Sequence, residues 1–280
     1  MQVDAGRFTV RLAANEEEVA AAQRLRYRVF VEEMGASVTD QDRVDRRERD
    51  SYDPYFDHLV LIDNENEDPD IENGVVGVYR LMRGSRAAAG IGFYGDQEYD
   101  LSRLKNCGVE TLELGRSCVD ATHRGGSGMH LLWTGLGRYV DEHAVGILFG
   151  VASFHGNQTE PLAHALGYLH HRHLAPADLR VRALDTSFAR MDILEASEVD
   201  GKEALRQIPA LIKAYIRLGG FVGEGAWVDH EFNTVDVCLI MDTARMVQRY
   251  RQFYSRHQTR GTGEGPGEGT GEGPAEGGPA

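Results

Sequence analysis

ELGRSCVDATHRGGSG, Glu113 to Gly128, is the stretch on which the fold turns. Its first half belongs to an apolar run, Thr111 to Val119, that reads as a strand. A short polar turn with His123 and Arg124 follows. Glycines then open a helix near Met129 that carries Leu131, Leu132, Trp133, Leu136 and Val140. Strand, glycine-rich turn and helix together present backbone N–H groups and the positive end of a helix dipole to a phosphate. Such turns are also common without any ligand, so the phosphate reading needs support from the rest of the chain.

Working outward, Gly146 to Phe154 is apolar on both faces and reads as a central strand. A helix around Glu160 to Leu166 follows, and Asp178 to Ile193 shows no clear period. Lys202 to Leu218 is an amphipathic helix interrupted at Pro209. Phe221 to Asp242 reads as a hairpin with Val235 to Met241 as its strong strand, and Ala244 to Tyr254 as a last helix. On the other side, Arg7 to Leu12 alternates as a first strand. Asn15 is placed to cap a helix running to Met34, with Glu16, Glu17 and Glu18 in its first turn. Ala36 to Tyr55 is polar and aperiodic. His58 to Asp63 and Gly74 to Met82 form an antiparallel pair. Arg83 to Gly108 is long and irregular, as segments that cover cavities are. The alternation predicts an α/β fold, one mixed but mostly antiparallel sheet flanked by helices.

The expected organisation is one domain over 1–257, with a helix–hairpin extension at 201–257. The tail 258–280 is mostly glycine, glutamate, proline and threonine, too poor in apolar groups to offset its ordering entropy, so disorder is expected. The net charge of −14 disfavours nucleic acid as a partner. No apolar run approaches the roughly 20 residues of a membrane span. The N-terminus lacks an apolar leader core, so a cytoplasmic location is expected. Cys107, Cys118 and Cys238 show no metal spacing, and neither disulfides nor a metal site are expected.

The pieces LRYRVFVEEMG (Leu25–Gly35), YRLMR (Tyr79–Arg83), GFYGDQEYDLS (Gly92–Ser102), ELGRSCV, HLLWTGLGRYV and Leu211–Val237 have a familiar order. They resemble the ornithine N-acyltransferases of bacterial ornithine-lipid synthesis, within the Gcn5-related N-acyltransferase (GNAT) fold, whose sheet is splayed between two strands. That resemblance implies transfer of a 3-hydroxyacyl chain from acyl carrier protein to the α-amine of L-ornithine, giving lyso-ornithine lipid. It implies no cofactor beyond the donor's phosphopantetheine thioester, and peripheral membrane contact through the lipid product. More distantly the chain is similar to acyl-homoserine lactone synthases. Matching their motifs implies Arg28 on the helix, the acids Glu48, Asp50 and Asp53, Arg80 on a strand, and the pair Glu113 and Arg116. On this reading Arg28 and the three acids form a paired network that walls the site. The glycine loop departs from the general pattern, with His123 in the first position and Arg124 one place late. His123, Arg124, Gly125, Gly126, Ser127 and Gly128 would hold a phosphopantetheine arm. Ala163 stands where many members carry a tyrosine acid.

Glu113 is the candidate base and Arg116 its companion, the alternative being a structural salt bridge between them. Residues three apart face opposite sides of a regular strand, so a shared face requires a bulge, predicted at Gly115. The bulge would splay the strand from its neighbour and free N–H groups for a thioester oxygen. Arg80 or Arg28 would take the acceptor's carboxylate. Asp229 and Asp236 are candidates for its ammonium, with exposed hairpin charges as the plainer reading. Three alternatives stay open: acylation of glutamine or another amino acid, a homoserine-lactone signal synthase, and a non-catalytic acyl-carrier or membrane-surface binding protein.

Overall fold

The computed structural model describes residues 1–230 and 232–245. Most of the predicted last helix and the whole tail 258–280 lie outside them. The strands are β1 (Gln2–Ala5), β2 (Phe8–Leu12), β3 (Asp57–Asp63), β4 (Val75–Arg83), β5 (Tyr99–Asp100), β6 (Glu110–Val119), β7 (Val145–His155), β8 (Arg182–Ala183), β9 (Phe188–Ala189), β10 (Phe221–Val222), β11 (Ala226–Asp229) and β12 (Thr234–Asp242). The helices are α1 (Glu16–Arg26), α2 (Asp40–Asp45), α3 (Gly84–Ala88), α4 (Ser102–Lys105), α5 (Gly128–Glu142), α6 (Ala163–His173), α7 (Gly201–Gln207) and α8 (Ala210–Arg217).

One sheet runs β1-β2-β3-β4-β6-β7-β12-β11-β9, with β10 also paired to β12. Every pairing in it is antiparallel except β6 with β7. β3 explains why the sheet is covered on both sides. Val60 and Ile62 pack under α1 with Ala21, Ala22 and Leu25, whereas Leu59 and Leu61 meet Gly135, Gly77 and Gly128 on the α5 side. At Gly135 an added Cβ would fall 2.4 Å from Val10 Cγ1, so only glycine lets α5 lie this close to the sheet. A second core fills the other half of the sheet: Met82, Phe93, Tyr99, Leu101, Leu104, Ile147, Phe149 and Ile240. The irregular segment 83–108 supplies much of it, and so covers the sheet as expected.

Asn15 Oδ1 accepts from Glu18 N at 3.0 Å, the expected cap. Beyond Arg26 the helix continues to Glu33 with π-type geometry. Pro209 splits the amphipathic segment into α7 and α8. The helix expected near Glu160 is longer than predicted and absorbs the basic YLHHRH run. β1 was not anticipated, being a four-residue edge strand without buried side chains. Among the described residues no helix is long and apolar enough to cross a membrane, and all three cysteines are free thiols.

A bulge is present, but at Arg116 and Ser117 rather than at Gly115, which keeps regular register with Arg80. Val78 pairs with Cys118 and Arg80 with Gly115, so Arg116 and Ser117 together oppose Tyr79. Arg116 holds φ at 51°, the left-handed region. The splay follows directly. β6 and β7 pair from Glu110↔Val145 to Glu113↔Phe149 and no further. At the fork Gly150 is held so close that a Cβ would lie 2.3 Å from the Leu114 carbonyl oxygen.

Candidate active site

A cavity of about 540 Å³ opens where the two strands part. Gly115 to Val119 line one side, and Leu148 to Ser153 with His155 the other. On its far edge β7 remains paired with β12 along Thr234 to Asp242. The near edges of both strands beyond the fork therefore face the cavity rather than each other. Apolar groups dominate one end: Val29, Phe30 and Met34 from the first helix, Leu211 and Tyr215 from α8, Leu239 and Met241 from β12.

The acidic stretch 48–53 forms a buried wall, as expected, but with a different helix arginine. Arg26, fully buried, donates from Nε to Glu48 at 2.5 Å and from Nη1 and Nη2 to Asp53 at 2.8 and 2.9 Å. Arg28 is not in this network. It binds Asp120 at 3.1 Å and the Asp70 carbonyl at 3.0 Å on another side of the helix. Two residues are about 200° around a helix, so the two arginines cannot serve the same wall. Arg80 Nη1 donates to Asp50 at 2.7 Å and Asp53 at 2.8 Å, and its guanidinium lies 4.4 Å from the Phe56 ring centroid. Arg116 Nε donates to Glu48 at 2.9 Å, with Nη2 3.6 Å from Asp50. Three guanidiniums thus face three carboxylates. Burial opposes ionisation of Glu48, but Arg116, Arg26 and Arg80 outweigh it and hold its carboxyl at about 2. Asp53 is likewise held low, burial being outweighed by Arg26 and Arg80.

Of these arginines only Arg116 borders the cavity. It is clasped between the rings of Tyr94 (4.8 Å) and Phe232 (5.3 Å), an arrangement that suits a guanidinium. Arg80, about 1% exposed and held by Asp50 and Asp53 through Nη1, does not line the cavity, and its buried Nε meets no partner among the described residues.

Glu113 shares the face of Arg116, since both reach Tyr94, but they do not form the salt bridge considered as an alternative. Glu113 Oε2 accepts from Tyr94 N at 2.8 Å, and Oε1 from Gly95 N at 2.6 Å. Burial pushes this carboxyl up to about 7 against the pull of those two amides. It lies one layer behind the cavity lining, and each oxygen keeps a lone pair beyond the amide bond it accepts.

The hairpin acids are not exposed. Asp229 and Asp236 are both buried, because β11 and β12 carry them into the core side of the sheet. With Glu98, at the end of the turn held by Glu113, they bring one oxygen each within 4.8 Å of one another. Glu98 was not singled out from sequence. It sits inside GFYGDQEYDLS with no periodicity to mark it, and its only signal is an acid beside the buried Tyr99.

In the glycine loop, His123, Arg124, Gly125 and Gly126 line the cavity, while Ser127 and Gly128 begin α5 behind them. Gly125 adopts φ 77°. Arg124 pairs with Glu33 at 2.6 Å and with the Val119 carbonyl at 2.9 Å, and His123 Nε2 lies 3.1 Å from Asp63. Both side chains brace the loop, whose first amides are bonded within the turn, His123 N to the Asp120 carbonyl at 2.9 Å and Thr122 N to Asp120 Oδ1 at 3.0 Å.

This arrangement suits acyl transfer to an amine: a fork with open strand edges, an apolar channel, and carboxylates with raised proton affinity. A model for an acetyltransferase (GNAT) domain matches residues 25–134. An L-ornithine N(alpha)-acyltransferase of Rhodobacter capsulatus is 52% identical over 249 residues, 89% of this chain and 95% of that protein. One of Brucella abortus is 42% identical over 253 residues, 89% of each. A solved N-acyl amino acid synthase from uncultured soil microbes, FeeM, aligns at a TM-score of 0.44 and 13% identity, over 85% of this chain and 92% of that one.

Proposed function

Because the chain belongs to the L-ornithine N(alpha)-acyltransferase family, we propose that it acylates the α-amine of L-ornithine. The donor is a 3-hydroxyacyl thioester on acyl carrier protein, and the product is lyso-ornithine lipid, the first step of ornithine-lipid synthesis. The observation that carries this reading is the fork, where β6 and β7 stop pairing and leave strand edges bordering one cavity.

The phosphopantetheine arm enters past Gly125 and Gly126, its phosphate against the first turn of α5. No other cofactor is required. The acyl chain occupies the apolar end beside Val29, Met34, Leu211 and Met241. The thioester oxygen takes N–H groups from the open strand edges, which stabilise it as charge develops in the transition state. Arg116 takes the acceptor's carboxylate, the role expected from sequence for Arg80 or Arg28. The amine nitrogen then forms a bond to the thioester carbon, the C–S bond breaks, and the sulfur leaves as a thiolate that takes a proton from water. The proton lost by the amine passes through a water to Glu113, whose carboxyl near 7 is matched to an amine titrating near about 8.

Purified protein given 3-hydroxyacyl carrier protein and a panel of amino acids, read by mass spectrometry, should yield the ornithine amide. Failure to acylate any amine overturns the reading. Exclusive use of glutamine would move the acceptor but keep the chemistry. Membrane contact through the lipid product is checked by sedimentation with vesicles.

A further inference from the structure

The wall and the floor of the cavity are built on opposite terms. In the wall each buried acid has a guanidinium. In the floor, Glu98 and Asp236 line the cavity with Asp229 behind them; all three are buried and bring one oxygen each within 4.8 Å of one another. Among the described residues, no lysine or arginine pairs with Glu98 or Asp236. Arg116, the cation that enters the electrostatics of both, pairs through Nε with Glu48 and lies 3.6 Å from Asp50, and forms no ion pair with Glu98 or Asp236.

Two atoms make this more than a cluster of acids. Glu98 Oε2 and Asp236 Oδ1 are buried and meet no hydrogen-bond partner among the described residues. Both residues are about 3% exposed, and both line the cavity. Buried polar atoms are almost always satisfied, and a pair left open toward a cavity marks the place of a missing donor. Burial and the neighbouring carboxylates raise the proton affinity of both Glu98 and Asp236, so an empty site holds a proton that an entering cation would replace.

We propose that Glu98, together with Asp229 and Asp236, binds the side-chain ammonium of the acceptor, and that Glu98 is the residue selecting a cationic amino acid. The proposal rests on the acyltransferase reading above, since it is the acceptor that brings the cation. A primary ammonium offers three N–H donors, which matches three converging carboxylates. A hard divalent ion would seek six or more oxygens, twice what these side chains present one each. The turn 94–97 couples the site to the chemistry, because the carboxylate of Glu113 fixes its first two amides and the turn delivers Glu98.

The test compares L-ornithine with L-2-aminopentanoate, the same carbon chain without the terminal ammonium, at saturating acyl carrier protein. The wild-type enzyme should prefer ornithine in kcat/KM by about 10²-fold or more. In Glu98→Gln that preference should fall at least about tenfold, mainly through the KM for ornithine. Calorimetry in two buffers of different ionisation heat should show proton release when ornithine binds the wild-type protein. Equal use of both amino acids by the wild type, or an unchanged preference in Glu98→Gln, overturns the inference while leaving the acyltransferase reading intact. Loss of activity in a chelator, restored by Mg²⁺ or Zn²⁺, would instead give the carboxylates to a metal and also overturns it. If Glu98→Gln fails to fold, the wild-type substrate ratio and proton release still decide. Absence of any acyl transfer would remove the functional reading itself, and calorimetry would still show whether ornithine binds.

Discussion

Arg26→Met is the most exacting perturbation of the buried wall. Arg26 ties Glu48 to Asp53, each of which keeps one other guanidinium, Arg116 and Arg80. Removing it leaves two cations against three anions in a buried site, and breaking a buried pair this way costs about 3–5 kcal/mol. The variant has a cheaper escape, which is to take up a proton on one acid. From the ordinary carboxyl value of 4.5, that proton costs about 3 kcal/mol at pH 7 and under about 1 kcal/mol at pH 5. The expected loss is therefore about 3 kcal/mol at pH 7, shrinking to about 1 at pH 5. Arg28→Met, which removes a partly exposed pair with Asp120, should lose under about 1 kcal/mol at either pH. Urea denaturation of both variants against the wild type, followed by circular dichroism at the two pH values, measures all of this. Equal losses for the two variants would refute the assignment of Arg26 to the wall. A loss for Arg26→Met that ignores pH would refute the electrostatic account of it.

Other outcomes follow from the same geometry. Glu113→Gln should reduce kcat by roughly 10²–10⁴-fold. The wild-type rate should rise with pH through about 7 as Glu113 loses its proton. A pH–rate profile of Glu113→Gln that keeps this limb would remove the base assignment. Gly150→Ala sets a Cβ against the Leu114 carbonyl at the fork, and overpacking of this kind costs about 1–3 kcal/mol. Melting temperature and kcat should fall together, and an unaffected melting temperature would count against the close approach. Glu48 is depressed in the fold, so its contribution is present above its ordinary value of 4.5 and is lost as pH falls toward about 2. Acid titration of the fold by circular dichroism should show wild-type stability declining through that window, and a flat response there would contradict it.

The sheet, its helices and the bulge were legible because each carries a local signal. β3 and β7 are runs apolar on both faces, Asn15 precedes three glutamates, and Gly115 stands between two charges that must share a face. The acid run 48–53 was legible only through the resemblance, since its composition is that of a solvated segment. Choosing Arg28 over Arg26 was a matter of phase. Composition does not say which of two nearby arginines turns inward, and the helix changes to π-type geometry at Tyr27. Asp229 and Asp236 read as solvated acids because hairpin charges ordinarily are, and only their placement on β11 and β12 reveals their burial. Glu98 was out of reach for a related reason. It is delivered by a turn whose position depends on amides held by a residue fifteen places later.

Arg116 carries one more consequence. A non-glycine residue in the left-handed region pays of order 1 kcal/mol in backbone strain. Nothing within β6 offsets that. The compensation comes from Glu48, which is 68 residues away in sequence. The bulge and the acidic wall are therefore linked through this ion pair. Segments tied in this way are expected to open together, so hydrogen exchange of the amides around Arg116 and Glu48 should show a shared opening free energy.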